Sequence, residues 1–283
     1  MARNRVATVI ALIALSLFQA GIAAGVEALE RRPLTFGVAP QQSAGELAKV
    51  WTPILNFIGE KSGQALRFAT AKDMQTFEQR LAAGDYDIAY MNPYAYTVFH
   101  RSPGYRVLAR EKDRRLQGII VVRKSDERAD INGLRGETVA FPDRTAFAAT
   151  ILVQAELGKR NIAIVSKYVS SHDSVYLAVA RGLAAAGGGI PRTFDNLPAE
   201  IRDRLRILLR TEAYTPHAIA AHPRLASATT ARLQSAMAAM ADDPKGAELL
   251  HAVGFQGLVV ARDEDYDDVR RLDIHLLDPL IAR

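Results

Sequence analysis

The chain has 283 residues, 49% hydrophobic and 24% charged, which is enough for one large core or two smaller ones. It contains no cysteine, which excludes disulfides, thiol chemistry, cysteine metal sites and a lipid anchor on a cysteine. The net charge of +5 comes from basic residues interleaved with acids, as in Arg110-Glu-Lys-Asp-Arg-Arg115, so it reads as a solvated surface and not as a nucleic-acid footprint.

In chain order, Arg3 and Arg5 precede an apolar run, Val6 to Leu17, and small residues at 20–25. This is the tripartite pattern of a cleaved secretory signal. An uncleaved anchor is the alternative, because the apolar run could reach Val26; Ser16, Gln19 and the small-residue tail favour cleavage. Leu34 to Val38 reads as a strand, and Leu47, Val50, Trp51, Ile54, Leu55 and Ile58 fall at helical spacing up to Ser62-Gly63. A strand at 65–69, a helix through Met74, Phe77 and Leu81, and a strand at 88–91 follow. The alternation argues for a mainly parallel, doubly wound sheet.

After the charged connector, Leu116 to Arg123 is an apolar strand, and the α/β pattern restarts. Strands are expected at 137–141, 164–169, 184–187 and 207–210, with helices at 145–157, 174–181 and 199–205. His217 to Ala221 is a last strand. The remainder is helical and returns to the first unit, with Leu233, Met237 and Met240 on one face and Leu249, Leu250 and Val253 on another. The two strands Leu116–Arg123 and Thr215–His222 are expected to cross between the units as a double hinge. The expected division is a signal segment at 1–25, a first lobe of 33–117 and 217–283, and a second lobe of 118–216.

Ser171-His172-Asp173-Ser174 opens an apolar helix with polar side chains and free N–H groups at one point, a ready site for a small polar or anionic ligand. Simple helix capping by Ser171 and Ser174 is the competing reading. The phrase resembles the second-lobe signature of the phosphate/phosphite/phosphonate-binding family of periplasmic solute-binding proteins. Phe36-Gly-Val-Ala-Pro40, Trp51-Thr-Pro-Ile-Leu-Asn-Phe57, Gly84-Asp-Tyr-Asp-Ile-Ala-Tyr90, Gln117-Gly-Ile-Ile-Val-Val-Arg123 and Val139-Ala-Phe141 are similar to other family segments and stand in family order.

The resemblance implies a two-lobe type II periplasmic binding fold with a ligand cleft, a small polar or anionic ligand, and an ABC transporter permease as partner. A membrane histidine kinase receptor is the alternative partner. It implies a monomer that is not an enzyme, with no cofactor and no metal. Consistent with that, the six histidines include no His-Glu-x-x-His, and there is no Gly-x-Ser-x-Gly elbow.

Ligands of open α/β sheets sit beyond strand carboxyl ends, at helix N-termini. That rule nominates Gln42 and Ser43, Asn92 and Tyr94, Arg144 to Phe147 (with Thr145 and Ala146), and Ser171 to Asp173 with His172. Asp195 is similar to a second family carboxylate near the cleft, or it caps a helix. Family members that bind phosphonates carry Ser-Thr-Ser before the second-lobe helix; here Asp143-Arg-Thr-Ala-Phe147 keeps only the Thr145 hydroxyl, so simple phosphonates are expected to bind poorly. Tyr90, Tyr94 and Tyr96 alternate, a pattern that more often marks a buried face. Trp51 is expected in the core, and Gly187-Gly-Gly189 at a tight approach between lobes.

Overall fold

The computed structural model describes residues 32–169 and 171–282; the signal segment lies outside them. Two sheets organise the chain. The first, in the order β11-β4-β10-β3-β1-β2, contains β1 (Leu34–Val38), β2 (Leu66–Ala69), β3 (Ile88–Met91), β4 (Arg106–Glu111), β10 (Ala218–Ala221) and β11 (Leu258–Val260). The second, in the order β7-β6-β8-β5-β9, contains β5 (Leu116–Arg123), β6 (Thr138–Phe141), β7 (Val165–Tyr168), β8 (Ala186–Gly189) and β9 (Leu205–Tyr214).

Each sheet is mixed. In the first, β1 pairs in parallel with β2 and β3, and β10, β4 and β11 add antiparallel strands. In the second, β6 pairs in parallel with β7 and β8, and β5 and β9 run antiparallel. The helical alternation forecast only the parallel cores, because antiparallel strands can join a sheet through turns too short to carry a helix. The chain crosses between sheets at 112–115 and 215–217. The strands expected to cross instead belong each to one sheet, β5 to the second and β10 to the first.

Local signals explain the helices. In α1 (Ala44–Ser62), Ser43 accepts from Glu46 N at the start and Gly63 ends the helix at φ 70°. Helix α2 (Met74–Ala83) starts on Asp73, and α3 (Pro93–Arg101) starts on Asn92 with proline in its first turn. Trp51 packs between Phe36 and Tyr90, with ring centroids 5.8 and 4.8 Å away, and Leu233, Met237 and Met240 close the same core. The tail helices Ser227–Ala238 and Pro244–Ala252 thus cover the first sheet.

The second sheet is buried on both faces, and β5 shows the period: Ile119 and Val121 join one core, Ile120 and Val122 the other. A β-carbon on Gly188 would lie 2.0 Å from the Ala149 carbonyl oxygen, and one on Gly189 2.2 Å from Tyr176 Oη. The glycines therefore let the second-lobe helices close on their own sheet; they do not lie between lobes. The lobes do meet elsewhere. Phe147, Ala148, Ile151 and Leu152 of the second share one apolar cluster with Ala39, Phe77, Met91 and Tyr94 of the first.

Candidate functional site

The sheets' facing ends form a cleft with two flanks. On one flank stand first-lobe residues Gln41, just past β1, Tyr90 on β3, and His217, just before β10. Tyr90 and His217 are stacked, with centroids 4.9 Å apart and planes at 17°. Gln41 Nε2 lies 2.8 Å from His217 Nε2, a bond in which the amide donates and the neutral ring nitrogen accepts. Burial, aided by the charges of Arg192 and Arg114, pushes the imidazole down to about 3. Burial likewise pushes the Tyr90 phenol up.

Opposite stand the first turn of α5 (His172–Ala180) and the short α6 (Pro191–Asp195) of the second lobe. Ser171 caps α5, its Oγ accepting from Ser174 N at 3.1 Å. Tyr176 Oη ties the two helices together: it accepts from Ile190 N at 3.2 Å and sits 2.7 Å from Thr193 Oγ1, which is 3.4 Å from His172 Nδ1. Burial pushes the His172 imidazole down to about 4; Asp173 opposes that and Arg192 adds to it.

Arg192 therefore acts on imidazoles of both lobes. It also reaches the first lobe sterically, since a β-carbon on Gly254 would lie 3.5 Å from its Nη1. Arg114, Arg115, Gln117, Arg192, Asp195 and Asn196 are among the residues lining a cavity of about 390 Å³ on this flank. Arg115 is paired with Asp268 at 2.9 Å, so it is Arg114 and Arg192 that make this a place where an anion is attracted and a neutral imidazole stays neutral.

The other flank carries acids. Asp143 Oδ1 accepts from both Thr145 N, at 2.8 Å, and Thr145 Oγ1, at 2.9 Å. Thr150 Oγ1 donates to the Asp143 carbonyl at 2.6 Å. The chain leaves the turn through a π-helical segment, Phe147–Ile151, before the α-helix Leu152–Lys159. Buried Glu78 of α2 faces the same turn. A carboxylate of the protein thus already holds the amide and the hydroxyl of Thr145 in this turn.

The nominated residues separate accordingly. His172 and Asp195 belong to the arginine flank. Asn92 and Thr145 meet across the other flank, where Asn92 Nδ2 donates to the Thr145 carbonyl at 3.4 Å. Phe147 is buried there, edge-on to Tyr214, and Ala146 precedes it at the start of the π-helical segment. Tyr94 is turned into the first lobe, its Oη accepting from Leu277 N at 2.8 Å, so its hydroxyl is engaged. Arg144 lies 5.2 Å over the Tyr168 ring at the outer strand of the second sheet. Gln42, Ser43, Ser171 and Asp173 are exposed; Ser43 and Ser171 cap helices, and Asp173 lies in the first turn of α5.

Sequence reasoning missed Gln41, Tyr90, Arg114, Arg192 and His217 as site residues. Arg192 had a signal: it lies in the first turn after a strand end, the place the open-sheet rule points to. Arg114 sat in what read as a solvated connector.

A family model described as ABC transporter, phosphonate, periplasmic substrate-binding protein matches residues 36–266. The phosphate-import protein PhnD of Mycolicibacterium smegmatis is 22% identical over 271 residues, covering 84% of each chain. Among solved structures, PhnD1 from Prochlorococcus marinus in complex with methylphosphonate aligns with TM-score 0.73 and 14% identity, over 84% of this chain and 96% of that one. A protein from Xanthomonas citri bound to ATP aligns with TM-score 0.73 and 17% identity, over 86% and 98%.

Proposed function

We propose a function from the chain's family: it belongs to the periplasmic substrate-binding proteins of phosphonate ABC transporters, and its cleft captures an oxyanion-bearing solute at Arg192 and Arg114 for delivery to the permease. The observation that carries this reading is the position of Arg192, a second-lobe cation whose charge acts on His172 of its own lobe and His217 of the other. An anion seated there gains charge-assisted bonds from the guanidiniums. Asp195 gives the same cavity an acceptor for an amino or hydroxyl group on the solute's organic part. Cavities of this size suit small organic ligands.

The relatives' names point to phosphate and methylphosphonate, but the second-lobe helix start differs in what it offers. Asp143 already holds the Thr145 amide and hydroxyl, two of the donors that a bare phosphonate would use there. The ligand we favour is therefore an oxyanion with an organic group that reaches Asp195, and simple alkylphosphonates bind weakly. The protein is a monomeric binder without catalytic activity, exported by a cleaved signal whose mature product starts between residues 24 and 29.

Thermal shift and calorimetry against inorganic phosphate, methylphosphonate, 2-aminoethylphosphonate and a nucleotide test this. At 100 times its dissociation constant a ligand stabilises by about 2.7 kcal/mol, a readily measured shift. Arg192→Gln is expected to weaken the bound oxyanion roughly 10- to 150-fold, the equivalent of about 1.5–3 kcal/mol for a bond to a charged group. Binding unchanged in Arg192→Gln, or submicromolar methylphosphonate binding in wild type, refutes the reading. A chemically altered solute recovered from the complex refutes the absence of catalysis.

A further inference from the structure

Glu78 belongs to α2 of the first lobe, yet the groups that act on it belong to the second. It is 3% exposed, and its Oε1 has no hydrogen-bond partner. The Thr145 hydroxyl and the Asp143 carboxylate face it across the seam. Phe77 and Tyr94 on one side, and Phe147 and Ile151 on the other, belong to the apolar cluster that seals this flank from water.

The position is poor for a carboxylate. Burial penalises the charge and Asp143 repels it. The Thr145 hydroxyl has one proton, and Asp143 Oδ1 takes it at 2.9 Å. A neutral Glu78 carries a proton of its own, which the Thr145 hydroxyl oxygen across the seam can accept. No cation faces Glu78 among the described residues whose charge acts on it. Its own helix carries Asp73 and Arg80, at its start and in its last turn. Helix α3 presents Tyr94, and the C-terminal segment Asp278–Ile281 presents Asp278, already paired with Arg101 and His275.

The Thr145 hydroxyl and the Asp143 charge act on Glu78 across the seam between the lobes. We propose that Glu78 is a proton-dependent latch between the lobes: they close over it in its protonated form and separate when it ionises. The latch is independent of which solute the cleft takes.

In the closed arrangement burial, reinforced by Asp143 and opposed by Thr145, pushes this carboxyl from 4.5 up to about 7. The closed state then binds the proton more tightly than the open one. Closure is fully favoured below about pH 4.5, weakens by at most about tenfold per unit as the pH rises towards about 7, and is level above that.

Small-angle X-ray scattering of the ligand-free exported protein between about pH 5 and about pH 8, at constant ionic strength, tests the latch. For wild type the radius of gyration is expected to grow as the pH rises to about 7 and then to level off, while Glu78→Gln stays compact throughout. A wild-type radius that does not change, or a Glu78→Gln variant that opens with the wild-type profile, overturns the proposal. Should Glu78→Gln fail to fold by circular dichroism, Asp143→Asn replaces it. That change keeps an acceptor for Thr145 N–H but removes the repelling charge, so the radius levels off at a lower pH and after a smaller rise; a wild-type profile overturns the latch.

Discussion

The Tyr176 hydroxyl holds the turn that presents Arg192, so Tyr176→Phe is the sharpest test of how the arginine flank is built. The side chain is fully buried in the second-lobe core, and phenylalanine keeps its packing. What is lost is one oxygen that accepts from Ile190 N at 3.2 Å and bonds Thr193 Oγ1 at 2.7 Å. Thr193 can still donate to the Ile190 carbonyl at 3.1 Å, so its own hydroxyl is not stranded. Ile190 N has no such substitute. An unsatisfied buried N–H costs about 1–3 kcal/mol, and the lost bond to Thr193 adds roughly 0.5–1.5 kcal/mol. The sum centres on about 3 kcal/mol. At roughly 2–4 °C per kcal/mol for a chain of this class, the melting temperature falls by about 6–12 °C. Thermal unfolding followed by circular dichroism reads the stability, and calorimetry with the bound oxyanion reads the site. Affinity falls with stability, because α6 loses its tie to α5 and Arg192 loses its fixed position. A variant that melts with wild type and binds as tightly refutes this account.

The first three strands and first two helices of the first lobe were legible because their signals are local, whereas the helix Pro93–Arg101 and the strands Arg106–Glu111 and Leu258–Val260 were not expected. Ile88–Met91 coincides with the expected strand, and α1 ends at Gly63 where Ser62-Gly63 marked its end. The second lobe hides its structure in long-range contacts. Its glycine strand, expected to end at Gly187, runs to Gly189, because an approach as close as that of Tyr176 Oη admits no β-carbon. In sequence such glycines read as a strand's end. The helix expected from Thr145 begins later and in π form, because Asp143 captures Thr145 N and the Ala146 carbonyl accepts from both Thr150 N and Ile151 N. The site divides in the same way. His172 and Asp195 could be nominated because they sit in recognisable phrases. Arg114 and Arg192 look like any surface arginine until the two crossings of the chain bring the sheets together. In sequence His217 is only the start of the last strand, and its partner Gln41 lies 176 positions earlier.

Gly188→Ala drives a methyl group onto the Ala149 carbonyl oxygen at 2.0 Å and the Phe141 ring at 2.7 Å, both parts of the packed second lobe. It is expected to cost about 1–3 kcal/mol or more in urea unfolding, and a wild-type midpoint contradicts the close approach. Asp173→Ala is expected to weaken an amine-bearing solute while leaving inorganic phosphate unchanged by calorimetry, since Asp173 is an exposed acceptor in the first turn of α5. The last prediction concerns the two imidazoles. Burial first, then arginine charge, holds His217 down to about 3, while burial leads at His172 and leaves it at about 4. Both folded values lie below the ordinary 6.5. Their contribution to stability is therefore complete above about pH 6.5 and is lost as the pH falls towards the folded values. Glu78 runs the other way, its contribution being complete below about pH 4.5 and lost as the pH rises to about 7. Carbon-detected NMR separates them: neither ring titrates between about pH 5 and about pH 8, and the glutamate carboxyl does. Arg192→Gln raises the His217 midpoint but leaves it below 6.5, because burial, the larger cause, is untouched. A wild-type His217 that titrates near 6.5 would refute its burial, and one that ignores the loss of Arg192 would place the arginine away from it and remove the cation on which anion capture depends.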